Sequence, residues 1–307
     1  MSLTRRKFLA ASALSGTAAI LNNSLETLAK PMTTQNTTVG FELLMLATNW
    51  GYEGTWDEFC TKIKKLGYDG AEVWSPTDAS ERKLFVETFQ KHNLKFGFLV
   101  GGSDTDHAKH LQQFRSSLDM AVTLKPLYIN CHSGRDHFSF DQNKQFIDYT
   151  AIVSAKTGIP VYHETHRSRI LYSAPVARQF MEKIEALRIT LDISHWCNVH
   201  ESLLTDQSET VALALSRTGH IHARVGHPEG PQVSDPRAPE WKSAFDAHLA
   251  WWDKIAQTKR TEGKRLTILT EFGPADYMPT IPYTRQPVAN QWEINKFMLD
   301  ILRERYA

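Results

Sequence analysis

The sequence has few cysteines, almost no excess charge and no long hydrophobic run, and each shortage excludes a class of protein. Three cysteines in 307 residues, at positions 60, 131 and 197, have no short metal-binding spacing and cannot all pair, so no disulfide framework is expected. The 35 basic and 34 acidic residues leave a formal net charge of +1. This balance argues against nucleic acid as a partner, because binding it requires the neutralisation of many phosphates.

The N-terminal region has the pattern of a twin-arginine export signal. Residues 4–10, TRRKFLA, match the order Ser/Thr-Arg-Arg-x-Phe-Leu and precede a weak apolar stretch at 10–21. That stretch is too short and too rich in Ser and Gly to be a stable membrane anchor. We therefore predict a signal peptide over 1–29, a linker over 30–40 and export to the periplasm. The alternative is a cytosolic protein with a disordered basic N-terminus.

Eight short apolar runs alternate with amphipathic stretches from residue 41 to the C-terminus. The runs are 41–47, 70–74, 94–100, 126–131, 159–164, 188–193, 220–225 and 266–271. Between them apolar residues recur every three or four positions, as in TWDEFCTKIKKLG at 55–67, which is typical of helices. Eight such units predict an α/β protein with a single (β/α)8 TIM barrel over 41–307. An open doubly wound sheet is the rival, but no glycine-rich phosphate turn follows the first run.

Ionisable residues gather at the ends of the predicted strands, where barrels have their active sites. A glutamate, an aspartate, a histidine and a second glutamate on four consecutive strands could converge on one divalent cation. They are Glu164, Asp192, a histidine of the His220/His222 pair, and Glu271. Such oxygen and nitrogen ligands suit Mn²⁺, Mg²⁺, Co²⁺ or Zn²⁺, and no thiolate is available to select a softer metal.

Each candidate ligand also has a purely structural interpretation. Glu164 could form a rim ion pair with Arg167 or Arg169, and Asp192 could cap a helix. His220 is expected to form hydrogen bonds in the core, because alternate residues of a strand face opposite sides of the sheet. Four residues of ligand type on four successive strands favour the metal site over these alternatives.

The pattern after residue 40 resembles the xylose isomerase-like barrel superfamily, which includes sugar isomerases, ketose 3-epimerases and an AP-endonuclease branch. In the ketose 3-epimerases a Glu, an Asp, a His and a Glu of strands five to eight hold the metal. By motif, the resemblance implies the metal ligands Glu164, Asp192, His222 and Glu271. It also implies that Glu164 and Glu271 are the catalytic pair that exchanges a proton beside a sugar carbonyl. The further substrate contacts that we predict are His195, His132, Arg135, Arg224 and Trp50.

One departure from the epimerases puts the substrate pose in question. They carry an arginine six residues after the metal histidine, where this chain has Pro228. We expect a metal-dependent sugar isomerase or epimerase, with two alternatives: a 3-keto-glycoside 1,2-lyase or hydratase that uses the same metal site, and a non-catalytic carbohydrate-binding barrel. A phosphodiesterase of the AP-endonuclease type would need more ligands and a basic face.

The expected partner is a small sugar or keto-sugar. Relatives of this barrel are often dimers or tetramers, so a homo-oligomer is also expected, with residues 233–241 as a lid or subunit contact.

Overall fold

Eight parallel strands close into a barrel in the computed structural model, which describes residues 40–307. Each strand pairs with the next one in sequence, and the last pairs with the first. The strands are β1 Glu42–Thr48, β2 Gly70–Trp74, β3 Lys95–Gly101, β4 Ile129–His132, β5 Val161–Glu164, β6 Ile189–Leu191, β7 Thr218–Ala223 and β8 Arg265–Thr270. The predicted (β/α)8 fold is confirmed. The predicted signal peptide and most of the predicted linker lie outside the described residues.

Helices connect the strands along the described chain. They are α1 Trp56–Leu66, α2 Ala79–Lys91, α3 His107–Thr123, α4 Phe140–Thr157, α5 Ala174–Lys183, α6 Ile193–Val199, α7 Ser208–Arg217, α8 Lys242–Thr261 and α9 Gln291–Tyr306. Local sequence sets their ends: Thr55 and Glu58 form a capping box before α1, and Gly67 ends that helix at φ 95°. Between residues 40 and 307 no helix is long and apolar enough to cross a membrane.

The sixth strand is shorter than its apolar run predicts. The run covers 188–193, but β6 ends at Leu191. Asp192 leaves the strand to cap α6, and its Oδ1 accepts a hydrogen bond from the Ser194 backbone N–H at 3.1 Å. The seventh strand begins two residues before its predicted start and ends at Ala223, so Arg224 follows the strand.

The two faces of each strand have different surroundings. Outward-facing residues such as Met45, Phe98 and Ile268 belong to the large apolar core between the barrel and the helices. A second, small cluster of Leu46, Tyr128 and Leu269 fills the inside of the barrel, with Tyr162 packed against it. The barrel interior is therefore apolar and aromatic below its carboxyl-end rim.

Two strand glycines make room for these interior rings. A Cβ added at Gly97 would lie 2.5 Å from Tyr128 Cζ, and one at Gly219 would lie 2.2 Å from Tyr162 Cε1. Both distances are far below van der Waals contact, so the rings occupy space that a side chain would otherwise fill. The Tyr128 hydroxyl also contacts His220 Nε2 at 3.1 Å, which joins the apolar layer to the polar groups above it.

We expect Gly97→Ala to lower the free energy of unfolding by about 1–3 kcal/mol, because the added methyl group overpacks the barrel interior. Urea denaturation followed by circular dichroism measures this loss. Gln90→Ala, a change at an exposed position of α2, is the control. Equal stability of Gly97→Ala and wild type would contradict the packing described here.

Candidate active site

Polar and ionisable side chains fill the barrel interior above the apolar layer. Inward-facing positions of β2, β4, β5 and β7 contribute the buried residues Glu72, Asn130, Glu164 and His222. Because side chains alternate along a strand, each follows an inward position two residues below it. On β5, His163 lies between the inward-facing Tyr162 and Glu164 and therefore faces outward, where Ser133 Oγ and Thr150 Oγ1 each contact its ring at 2.7 Å.

The four predicted metal ligands lie together at the carboxyl end of the barrel. Glu164, Asp192, His222 and Glu271 each offer one ligand atom within 4.8 Å of the others. His222 Nδ1 lies 2.7 Å from Glu271 Oε2 and 3.7 Å from Glu164 Oε1. The first three residues are buried, and Glu271 is the one that reaches the cavity, with its side chain 14% exposed.

The donor set fits a divalent cation. Glu164 Oε1 is buried and makes no hydrogen bond with the described residues, and His222 Nδ1 and Glu271 Oε2 have only each other at hydrogen-bonding distance, 2.7 Å apart. A buried carboxylate oxygen without a partner is costly, and a cation bound between Glu164 Oε1 and the other two atoms would satisfy it. Three carboxylates and one imidazole suit a hard or borderline ion such as Mn²⁺, Mg²⁺, Co²⁺ or Zn²⁺.

Glu72, which we did not predict as a site residue, fixes the orientation of His222. His222 Nε2 donates to Glu72 Oε1 at 3.0 Å, and this leaves Nδ1 directed toward the other carboxylates. Burial raises the pKa of Glu72, but His222 and His220 outweigh it and hold that pKa below its usual range. Glu72 is therefore an ionised acceptor that selects the ring nitrogen available for metal.

Asn130 and His132 hold Glu164 in the same way. The Asn130 amide donates to Glu164 Oε2 at 2.7 Å, and His132 Nε2 donates to the same oxygen at 3.0 Å. Both bonds use Oε2, so Oε1 remains free for a cation or a substrate proton. The carboxylate is thus fixed by neighbours on β4, the strand beside its own.

Arg224 is fully buried beside the quartet and neutralises Asp192. Its Nη2 donates to Asp192 Oδ2 and, at 2.9 Å, to His195 Nε2. Since a guanidinium only donates, His195 Nε2 must accept, and the ring proton of a neutral His195 is on Nδ1. That Nδ1 is buried and makes no hydrogen bond with the described residues.

A cavity of about 340 Å³ opens above these residues. Trp50, Trp74 and Tyr277 form its aromatic walls, and His132, His166, Arg224, Glu72 and Glu271 supply its polar groups. Three of the predicted substrate contacts, Trp50, His132 and Arg224, therefore line this cavity. His195 lies just beneath, with its ring 4.0 Å from that of His166.

The remaining predicted contact, Arg135, lies away from this cavity. It lines a neighbouring groove, where its Nη2 donates to the Ser103 carbonyl at 3.1 Å. His166 and Tyr277 were not predicted as contacts. His166 follows Glu164 by two residues, which was the available signal, whereas Tyr277 lies in a long loop with no such pattern.

The structural alternatives for the ligands have specific outcomes. Among the described residues, Glu164 pairs with histidines and not with Arg167 or Arg169. Asp192 does cap a helix, but its second oxygen still faces Arg224 and the quartet. Strand alternation does not separate His220 from His222 as expected, because residues two apart face the same side and both contact Glu72. His220 is nevertheless a core histidine, since it donates from Nδ1 to Thr267 and contacts the Tyr128 hydroxyl in the apolar layer.

Burial among like charges changes the protonation of two ligands. Burial, together with Glu271 and Glu164, raises the pKa of Asp192 to about 6 despite the nearby Arg224. Burial favours the neutral form of His222, but Glu271, Glu164 and Glu72 outweigh it and raise the pKa of His222 well above its usual range. Both groups therefore hold protons more readily than a free side chain, and a cation must displace those protons.

Comparisons with known proteins agree with this fold. A family model described as a xylose isomerase-like TIM barrel matches residues 60–247, more than half of the chain. No curated protein matches the sequence.

Among solved structures, a 3-keto-D-glucoside 4-epimerase from E. coli is 15% identical, covers 85% of this chain and 99% of its own, and has a TM-score of 0.57. A D-allulose 3-epimerase from Methylomonas sp. is 14% identical over 86% of this chain and 98% of its own, with a TM-score of 0.56. A probable 3-DHS dehydratase from Bacillus anthracis is 14% identical over 85% and 98%, with a TM-score of 0.53. At these identities the likeness concerns the fold.

We expect Glu72→Gln to weaken divalent-metal affinity about 10- to 100-fold without abolishing binding, because the amide no longer fixes His222 as firmly. Asp192→Asn should lose the metal under the same conditions. Titration with Mn²⁺ after chelation and dialysis measures both effects. Glu182→Gln, an exposed change on α5, is the control. Wild-type affinity in Glu72→Gln would contradict the orienting role of Glu72.

We also expect metal binding to release protons, because the cation takes the sites of protons on Asp192 and His222. The apparent Mn²⁺ affinity should therefore rise with pH, steeply near pH 6 as Asp192 loses its proton and again at higher pH as His222 loses its own, because the pKa of His222 is raised above its usual range. Calorimetry in buffers of different ionisation enthalpy counts the released protons. Affinity that does not change between pH 5.5 and pH 8 would contradict this assignment.

Proposed function

Because the chain belongs to the xylose isomerase-like TIM barrel family, we propose that it is a metal-dependent enzyme that removes a proton α to a sugar carbonyl, as an isomerase or epimerase does. The observation that carries this proposal is the pair of glutamates at the quartet. Glu164 Oε1 has no hydrogen-bond partner among the described residues, Glu271 lines the cavity with its Oε2 against His222, and both carboxylates face the same place. A purely structural ion-pair network would also satisfy Glu164 Oε1.

A bound divalent cation would polarise the sugar carbonyl and the adjacent hydroxyl, and so lower the barrier to proton removal. Glu164 and Glu271 are the carboxylates placed to accept and return that proton. Glu164 is held rigidly by Asn130 and His132, whereas Glu271 lines the cavity directly. In an epimerisation one carboxylate removes the proton and the other delivers one to the opposite face.

Donors around the cavity suit the oxygens of the substrate. The free Nδ1–H of His195 and the guanidinium of Arg224 lie on the side of Asp192. The guanidinium also lies 4.7 Å from the Tyr277 ring, so that ring and charge pack together at the wall. Charge that develops on a substrate oxygen in this position would be stabilised by donors that are already oriented.

A second candidate is elimination from a 3-keto-glycoside by the same base. A groove beside the cavity, separated from it by Trp74, offers space for the second half of a glycoside. In this elimination a carboxylate of the quartet would take the C2 proton of the 3-keto-glycoside. The electrons of that C–H bond would form a C1–C2 double bond as the glycosidic oxygen leaves C1. The leaving oxygen takes up a proton and departs as the free alcohol. The non-catalytic binding barrel is less favoured, because a binder does not require two glutamates gathered with an aspartate and a histidine at one place.

The test is exchange of the α-proton in D₂O, followed by NMR on metal-loaded protein with D-fructose, D-tagatose and a 3-keto-glucoside. We expect Glu164→Gln and Glu271→Gln each to slow exchange by at least about 100-fold, because each removes a group that transfers the proton. Glu304→Gln, at an exposed position of α9, is the control. Released alcohol from the 3-keto-glucoside would identify the elimination. Metal-loaded wild type that exchanges no α-proton in any of the three sugars would overturn the proposed function.

A further inference from the structure

A second concave site adjoins the cavity and shares Trp74 with it. This groove has a volume of about 690 Å³ and lies between the ends of β2 and β3, helix α3 and the turns after β4 and β5. Trp74, Pro76 and Met120 supply apolar surface to its walls, beside serine, threonine and glutamine side chains. Trp74 is 55% exposed and stands at the boundary, so a ligand longer than one sugar could cross its ring from one site to the other.

The charge of the groove has one sign. Arg135 and Arg169 are its only ionisable lining residues in the described chain, and no carboxylate lines it. Neither arginine has an aspartate or glutamate oxygen within 4 Å among residues 40–307. Arg135 Nε and Arg169 Nε and Nη1 are buried and make no hydrogen bond with any residue that the structure describes. Two partly buried guanidiniums without a counter-charge are unfavourable unless a ligand supplies one.

The electrostatics of Arg169 also indicate an excess of positive charge in the groove. Burial lowers the pKa of Arg169, and the charge of Arg135 lowers it further, so the two cations repel one another. Glu164 and Asp136 oppose this effect, but neither has an oxygen within 4 Å of the Arg169 guanidinium. Asp136 is directed to His137 at 3.3 Å, and Glu164 is committed to the metal site.

The two arginines are placed by matching turns. In HSGR at 132–135 and HRSR at 166–169, a histidine lines the cavity and an arginine three residues later lines the groove. Each turn has a left-handed residue just before the arginine, with φ 53° at Gly134 and φ 60° at Ser168. A left-handed backbone at a non-glycine residue is uncommon and indicates a conformation that the surrounding structure imposes.

We propose that this groove, which we call the arginine groove, binds an anionic group of the substrate, either a carboxylate or a phosphate monoester. The reacting sugar then occupies the cavity, and its acidic substituent or acidic second sugar unit lies across Trp74 against Arg135 and Arg169. The inference rests on the proposed function only for what occupies the cavity. Guanidinium groups suit such anions because each presents several N–H donors in the plane that a carboxylate or phosphate matches.

The test compares ligands that differ mainly in charge. Chelator-treated protein is titrated calorimetrically with D-glucose, D-glucuronate and D-glucose 6-phosphate, so that an anion cannot bind a metal instead. We expect at least one anionic sugar to bind about tenfold or more tightly than D-glucose, with an advantage that falls as salt is added. A preference for the uronate alone identifies a carboxylate site, and a preference for the phosphate alone identifies a phosphate-ester site.

Variants locate the effect. Arg135→Gln and Arg169→Gln should each remove most of the anion preference and leave D-glucose binding unchanged. Arg178→Gln, which removes one positive charge from the exposed face of α5, should keep it. Thermal melts verify that the variants fold, and Arg169→Lys should restore only part of the preference.

The two proposals can fail separately. Equal binding of all three sugars, or an anion preference that both glutamine variants retain, would overturn the arginine groove. That result would leave metal binding and α-proton exchange untouched. Conversely, an anion preference that depends on both arginines in a protein without metal-dependent exchange would support the groove and refute the proposed chemistry.

Discussion

The need to balance buried negative charge governs the carboxyl end of this barrel. Glu72, Glu164 and Asp192 are fully buried there and Glu271 nearly so, and an ionised carboxylate is costly in such a place unless it is paired or bound to a metal. Arg224 compensates Asp192, and His222 lies between Glu72 and Glu271. These cations leave an excess of negative charge at the quartet. The same shortage of positive charge keeps protons on two of the ligands and creates the attraction for a divalent ion.

Much of this arrangement follows from two regularities that a sequence contains. Eight apolar runs in alternation with amphipathic stretches predict the barrel, because each strand must return beside the previous one through a helix. The carboxyl ends of parallel strands then share one rim. Residues of ligand type at the ends of β5 to β8 therefore had to lie near one another. His163 does not belong to this group. It is adjacent to the inward-facing Glu164 on β5, so its side chain faces outward.

The sequence did not predict how deep in the barrel each side chain lies. Glu72 contacts His222 across the barrel because of the registers of β2 and β7. Pairing with β1 places Glu72 opposite Thr48, and pairing with β8 places His222 opposite Leu269. Asp192 was treated as either a cap or a ligand, but its two oxygens have different partners. Arg135 was expected at the cavity, yet the left-handed turn at Gly134 directs it to the groove. The export signal and the oligomeric state stay predictions.

The repeated turn has a consequence for how binding and chemistry are connected. His132 and His166 line the cavity, and the arginines three residues later line the groove, so one short backbone segment carries both groups at each strand end. Under the two proposals, an anion bound by Arg135 or Arg169 would act on the same turns that position His132, and His132 holds Glu164. Binding energy from a remote part of the substrate would then help to fix the proposed catalytic carboxylate, and energy used in this way lowers the barrier instead of only tightening binding. The histidine and arginine residues that follow β4 and β5 therefore belong to two turns of the same kind, each with a histidine at the cavity and an arginine at the groove.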